Sequence, residues 1–281
     1  FRGKKPGDPD RMGALVAIDP RNGDVLAMVS RPAYDPNLFA GGIDASTWAS
    51  LTGDAWHPLR NRAISGQYPP GSTYKPFVAL AALAEGKIDA DTTVYCPGYY
   101  RLGRRVYRCW KRSGHGEMNL AAALRDSCDV FFYQVGIDLG VDTIASFARR
   151  FGLGARTGVA LQGEAAGLIP TRAWKERVRG ESWIKGETVS AAIGQGYDLV
   201  TPIQLANAYA ALAHGGVHFP PRLVQRLESW DGQVVAENPV GEPQHAARHE
   251  QPVQLADESD AALHRYQVLK HVLSVDELHR V

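Results

Sequence analysis

Ser72 and Lys75 stand three positions apart in the run Tyr68-Pro69-Pro70-Gly71-Ser72-Thr73-Tyr74-Lys75, where an Ala/Leu-rich segment begins. At helical spacing the two side chains share one face, one turn apart. A serine hydroxyl is a weak nucleophile until a neighbouring base takes its proton. A lysine does so only when neutral, a state favoured by desolvation or nearby positive charge. The partial positive charge of a helix start favours a developing alkoxide, and Pro76 fits a first turn that has no intrahelical donor to lose. The pair suits covalent serine chemistry; its ordinary alternative is a helix-capping serine followed by an exposed lysine. Further along, Ser127-Cys128-Asp129 supplies a hydroxyl and a carboxylate suited to hold Lys75 and relay a proton to a leaving amine. The plain role of that triplet is to cap a helix starting at Val130, and capping and catalysis can coexist.

A second cluster has the arithmetic of a metal site. All three cysteines fall in the pattern Cys96-x12-Cys109-x5-His115-x12-Cys128. Three thiolates and one imidazole fill a tetrahedral zinc site with no open position, which is the structural type. A disulfide plus a free thiol, and inert buried thiols, are the competing readings. If Ser127-Cys128-Asp129 is extended, alternate side chains point to opposite sides. Cys128 then faces the metal while Ser127 and Asp129 face the nucleophile.

The elements that must position these groups follow from pattern and punctuation. Asn22-Gly23 between two apolar runs over 13–30 predicts a hairpin. Residues 31–71 read as loop, with prolines throughout. A helix follows Ser72 and stops at Gly86. Residues 89–116 have no helical period. Helical patterns return after Asn119, over 130–140 and over 141–154, then from Pro170 or Thr171, and behind Thr201-Pro202, an N-cap followed by proline at the first helical position. Strand-like pieces follow Pro220, and a helix-like stretch covers 260–273. Together these predict an α+β domain with helices packed on both sides of an antiparallel sheet.

Composition narrows the function classes. The chain has 281 residues, 44% of them hydrophobic, enough to fill a core, and a net charge of +1. That balance argues against a nucleic-acid binder working by phosphate neutralisation. No run reaches the ~20 apolar residues of a membrane span, and no signal peptide opens the chain. The start at Phe1-Arg2-Gly3 reads as a piece of something longer.

The segments GALVAIDPRNGDVLAMVSRPAYDPNLF, YPPGSTYKPF, CWKRSGHGEMNL, SCDVFFYQVG, FGLGARTGVALQGE and AAIGQGYDLVTPIQLANAYAAL occur in one order. In that order they resemble the transpeptidase domain of class B penicillin-binding proteins, most closely its elongation-type members. The family's serine-lysine and serine-aspartate elements fall on Ser72, Lys75, Ser127 and Asp129. The resemblance implies a penicillin-binding/β-lactamase-like fold, with a linker over 1–12, the domain over 13–226 and a divergent or truncated segment over 227–281. It also implies that Ser72 attacks the penultimate D-alanine of a peptidoglycan stem peptide, with Lys75 as acylation base and Ser127 and Asp129 organising the proton path. An amine then resolves the acyl-enzyme into a cross-link, and β-lactams acylate the same serine. Some relatives are similar in carrying zinc at the positions of Cys96, Cys109, His115 and Cys128. The implied setting is the periplasmic face of the bacterial inner membrane, through an anchor upstream of this chain. The implied partners are the glycosyltransferase and scaffold proteins of the elongation complex.

One family element is missing from the sequence. The third motif, Lys-Ser/Thr-Gly, is expected after Leu227 and does not occur there. The near matches Lys111-Arg112-Ser113-Gly114 and Arg156-Thr157-Gly158 lie upstream, in segments that match other parts of the family. Losing one oxyanion donor costs on the order of 10²–10³ in rate. A β-lactam hydrolase of the same fold and a non-catalytic cell-wall scaffold are therefore carried as alternatives. The first lacks an identifiable second base for deacylation, and the second is at odds with the intact Ser72, Lys75, Ser127 and Asp129.

Overall fold

The computed structural model describes residues 12–245. The linker expected over 1–12 and the helix-like stretch over 260–273 lie essentially outside them. The described elements begin with strands β1 (Gly13–Ile18) and β2 (Val25–Arg31), then helices α1 (Ala45–Gly53), α2 (Arg62–Ser65) and α3 (Lys75–Ala84). Strands β3 (Val94–Cys96), β4 (Tyr99–Leu102), β5 (Arg105–Arg108) and β6 (Gly116–Met118) come next. Helices α4 (Leu120–Arg125), α5 (Asp129–Leu139), α6 (Val141–Arg150), α7 (Arg172–Arg179), α8 (Lys185–Ala191) and α9 (Pro202–Ala213) follow. The described chain closes with β7 (Val217–His218), β8 (Arg226–Glu228), β9 (Val234–Glu237) and β10 (Gln244–His245). The α+β composition is the one the sequence predicts.

The described residues divide into two compact units. One holds the chain up to Tyr68 with Ala155–Gly167 and Val200–Gln244. In it, β1 and β2 pair antiparallel, with Leu15 opposite Val29 and Val16 opposite Met28. Ala14, Val16, Ile18 and Met28 pack on Ala63, Ile64, Val159 and Ile203, so α2 and α9 cover that face. Leu15 and Val29 point the other way and are exposed. The hairpin turn is the predicted one, with Gly23 at φ +80° and the Gly23 N–H donating to Asp19 O. Thr201 caps α9 as expected, accepting from Gln204 N while Gln204 Oε1 accepts from Thr201 N.

The region read as loop over 31–71 contains two helices as well, α1 and the single turn α2. Asp44 caps α1 by accepting from Ser46 N and Thr47 N. Because α1 buries none of its residues, it carries no apolar stripe by which a sequence pattern would reveal it.

The second unit holds Pro69–Gly154 and Leu168–Leu199. Its core is built on α3 and α5, both mostly buried, with Phe77, Val78, Phe131 and Phe132 almost fully enclosed. α3 packs on α5 and α6, and α5 on α8. Asn119 caps α4 and Thr171 caps α7, as their spacing predicts. Residues 89–116 form two small antiparallel ribbons, β3 with β6 and β4 with β5.

Candidate active site

Ser72 lies in the 3-10 turn Gly71–Tyr74 that runs directly into α3 at Lys75. Three residues per turn bring positions three apart onto one side, so Ser72 and Lys75 face the same way. Lys75 is 1% exposed. Its Nζ donates to Ser127 O at 2.9 Å, Ser127 Oγ at 3.0 Å and Asp129 Oδ1 at 2.7 Å, which engages all three ammonium hydrogens. Ser127 Oγ in turn donates to Ser72 Oγ at 2.8 Å. The contact from lysine to nucleophile thus runs through Ser127.

Ser127 is held in an uncommon conformation. Its φ is +51°, in the left-handed region, where α4 ends. Cys128 N donates to Ala123 O and Ser127 N to Leu124 O. The first of these bonds belongs to a helix terminus that usually carries glycine at the left-handed position. A serine there costs on the order of 1–3 kcal/mol. The strand-like path expected for Ser127-Cys128-Asp129 is therefore replaced by a tight turn into α5. The separation of faces survives by this other route: Cys128 is 0% exposed and buried away from solvent, while Ser127 and Asp129 line a cavity of about 510 Å³ with Ser72.

Asp129 opens α5, where the helix dipole favours its charge. Its Oδ1 takes Lys75 and its Oδ2 accepts from Trp110 N at 3.0 Å. The Trp110 indole Nε1 donates to Asp126 O and Ser127 O at 3.1 Å each, gripping the Ser127 turn from outside. On the other side, Gly71 N donates to Gly194 O at 2.8 Å. Gly194 sits at φ +67°, and a Cβ there would stand 2.4 Å from Gly71 O, so only glycine lets this loop clasp the serine turn. Gln195 follows it into the cavity. Trp110, Arg108, Arg112 and Tyr133 also line the cavity without having been picked as site residues from the sequence; the β4–β5 hairpin and the residues after it bring the first three there, and α5 brings Tyr133.

The predicted metal ligands also come together. One donor atom from each of Cys96, Cys109, His115 and Cys128 lies within 4.8 Å of the others, and all three thiols are free and buried. His115 Nδ1 is 3.5 Å from both Cys96 Sγ and Cys109 Sγ. A tetrahedral zinc with bonds of about 2.3 Å to sulfur and about 2.0 Å to nitrogen sets those atoms about 3.5 Å apart. The donor set and its spacing therefore fit zinc. Gly114, where a Cβ would stand 2.3 Å from Cys96 O, lets the ligand loops approach. Burial pushes the Cys128 thiol up to about 12, with Cys96 and Cys109 adding to the effect. Burial, with Lys111 nearby, lowers His115 and favours its neutral form.

Comparison with known proteins gives one consistent result. The sequence profile of the penicillin binding protein transpeptidase domain matches residues 13–270. The chain is 43% identical over 236 residues to the peptidoglycan D,D-transpeptidase MrdA of Escherichia coli, covering 82% of this chain and 37% of that protein. It is 34% identical to stage V sporulation protein D of Bacillus subtilis over 77% of this chain and 30% of that protein. It superposes on Pseudomonas aeruginosa PBP2, crystallised with WCK 5153, with a TM-score of 0.79 and 39% identity, over 93% of this chain and 54% of that one. On Helicobacter pylori PBP2 in complex with MreC the TM-score is 0.80 at 30% identity, over 95% of this chain and 46% of that one. The chain thus spans well under two thirds of the relatives it matches. With the serine, lysine and aspartate of its site in place on that fold, the chain belongs to the penicillin-binding protein transpeptidase domain family.

Proposed function

We propose that this domain is a peptidoglycan D,D-transpeptidase of cell elongation that works through a serine acyl-enzyme. Ser72 Oγ attacks the carbonyl of the penultimate D-alanine of a stem peptide. Its proton passes through Ser127 Oγ toward Lys75. To accept it, Lys75 first gives up a proton of its own, and Asp129, 2.7 Å away, is the group placed to take it. The terminal D-alanine leaves with a proton returned along the same path, and an amine from a neighbouring strand resolves the ester into a cross-link. The observation that carries the reading is the unbroken chain Ser72–Ser127–Lys75–Asp129 at one wall of an open cavity.

A fluorescent penicillin tests it. Stable labelling of the wild-type chain that vanishes in Ser72→Ala supports the proposal. Rapid release of the label favours the β-lactam hydrolase, and absence of labelling favours the scaffold.

The four ligands are proposed to hold a structural zinc, closed to substrate, that fixes the Cys128 turn. The ligand spacing supports this, and metal analysis of purified protein checks it: about one zinc per chain, lost together with thermal stability on chelation. The proposed setting is the periplasmic face of the inner membrane, beside scaffold and glycosyltransferase partners. The Helicobacter relative solved with MreC and a relative solved within a peptidoglycan synthase complex support those partners. Among the described residues no helix is long and apolar enough to cross a membrane.

A further inference from the structure

The chain as a whole is nearly neutral, yet the segment around the β4–β5 hairpin is not. Arg101, Arg104, Arg105, Arg108, Lys111 and Arg112 fall between positions 94 and 116, where no aspartate or glutamate occurs. The hairpin register decides which way they face. Tyr100 pairs with Tyr107, and both rings pack on Tyr133 of α5. Tyr99 pairs with Arg108 and Arg101 with Val106, and the strand period of two puts these four on the opposite face. The aromatic face fixes the hairpin to the core, and the basic face is left to solvent.

Arg108 and Arg112 line the same cavity as Ser72. Both are exposed, and neither forms an ion pair among the described residues. The carboxylates nearest in the site are already committed. Asp129 is taken by Lys75 and Trp110 N, and Asp126 by Arg125 at 2.9 Å. The backbone that displays the two arginines is pinned. Arg108 O accepts from Tyr133 Oη at 3.2 Å, and Arg112 O is packed where a Cβ on Gly98 would be 2.2 Å away. Two exposed arginines on a fixed backbone, lining the cavity of the nucleophile and without an ion pair among the described residues, suit an anion. The fork geometry of guanidinium matches a carboxylate in particular.

We propose that Arg108 and Arg112 form a specificity subsite for a carboxylate of the donor peptide. This rests on the transpeptidase reading above and names what the substrate presents to the wall facing β5. A stem peptide whose third residue is a diamino dicarboxylic acid offers two sources of such a group, that side-chain carboxylate and the C-terminus.

The test uses the full chain carrying Ser72→Ala, so that nothing turns over, and fluorescence polarisation of labelled pentapeptides ending in D-Ala-D-Ala. The first peptide has a diamino dicarboxylic acid at its third position. The second has that side-chain carboxylate amidated, and the third has its C-terminus amidated instead. Adding R108Q and R112Q is expected to weaken the first peptide about tenfold, the scale of a charge-assisted hydrogen bond moderated by solvent. One of the two amidated peptides, already weak in the parent, should lose nothing further, and its identity tells which carboxylate is held. R108K with R112K, which keeps the charge but not the fork, should fall between the parent and the glutamine variant, and melting temperatures matching the parent exclude a folding defect in either. Equal loss for all three peptides, no loss for any, or no binding by the parent overturns the subsite. Penicillin labelling of the wild-type chain decides the transpeptidase reading separately. Labelling without carboxylate selectivity removes the subsite alone.

Discussion

Two turns meet at the site, and they are held in different ways. The Ser72 turn runs into a helix that is nearly all core, is backed by the enclosed Tyr74, and is clasped by the Gly194 loop. Removing any one of these leaves the others. The Ser127 turn has a strained residue at its apex, a short helix before it, and polar restraints around it: the Trp110 indole, Lys75 and the Cys128 thiol among the proposed zinc ligands. Hydrophobic packing positions the nucleophile, whereas charges, together with the zinc proposed above, position its relay. Perturbing charge or metal should therefore disturb Ser127 first and Ser72 hardly at all.

Lys75→Met makes the largest demand on that contrast. Asp129 would lose its ion-pair partner, with a side chain only 12% exposed. Breaking a buried pair by removing one member typically costs about 3–5 kcal/mol. The variant should lose penicillin labelling entirely and melt well below wild type. Melting at the wild-type temperature would mean that the pair does not hold the two turns together.

Loss of the metal staple should come next. Cys128→Ser is expected to lower stability by about 2 kcal/mol, roughly 5 °C in melting temperature for a domain of this size. It should also slow acylation of Ser72 by about tenfold. A strong chelator should reproduce both changes in the wild type and neither in the variant. If Cys128→Ser leaves acylation rate and melting temperature unchanged, the metal does not position Ser127.

A finer cut separates the backbone of Ser127 from its hydroxyl. Glycine adopts φ +51° without the steric penalty serine pays, whereas alanine keeps the penalty. Ser127→Gly should be more stable than Ser127→Ala by about 1 kcal/mol, read from denaturant midpoints. Both should lose labelling to the same extent, because both lack Oγ. Equal stability of the two would mean that the left-handed conformation relaxes without serine.

These differences also mark what the residues announced in advance. The caps at Asn119 and Thr201 were legible because each is a side-chain acceptor just ahead of an apolar period, and the start at Thr171 was legible to within one residue. Ser72, Lys75, Ser127, Asp129 and the cysteine–histidine set stood out by type and spacing. The bend at Ser127 did not, since a left-handed serine leaves no sign when glycine is the residue that usually marks such a turn. Nor did the roles of Trp110, Arg108 and Arg112. Their places depend on a hairpin register and on the packing of that hairpin against α5, and neither is written in local pattern.

Asp198 gives the gentlest test, at the back of the better-packed turn. Its carboxyl is 1% exposed, and neither its Oδ2 nor Tyr74 Oη has a hydrogen-bond partner among the described residues. Burial pushes the Asp198 carboxyl well above the usual carboxylate range, and burial likewise raises the Tyr74 hydroxyl, with Asp198 adding to the effect. The folded protein therefore keeps a proton on Asp198 at pH values where the unfolded chain, with an ordinary value near 4, has released it. Stability from this group is fully present below about pH 4 and is lost as pH rises toward the folded value. Asp198→Asn, which has no proton to release, should match the wild type in acid and become progressively more stable than it as pH rises. Melting curves of the two proteins between pH 4 and pH 8 read this directly, and a difference that stays flat with pH would mean that the carboxylate is ionised and paired. The rate of penicillin labelling should be the same in both proteins at every pH, because a turn fixed by packing does not depend on one carboxyl behind it. A labelling rate that followed the melting temperature would place the Ser72 turn under the same polar control as Ser127 and erase the contrast between them.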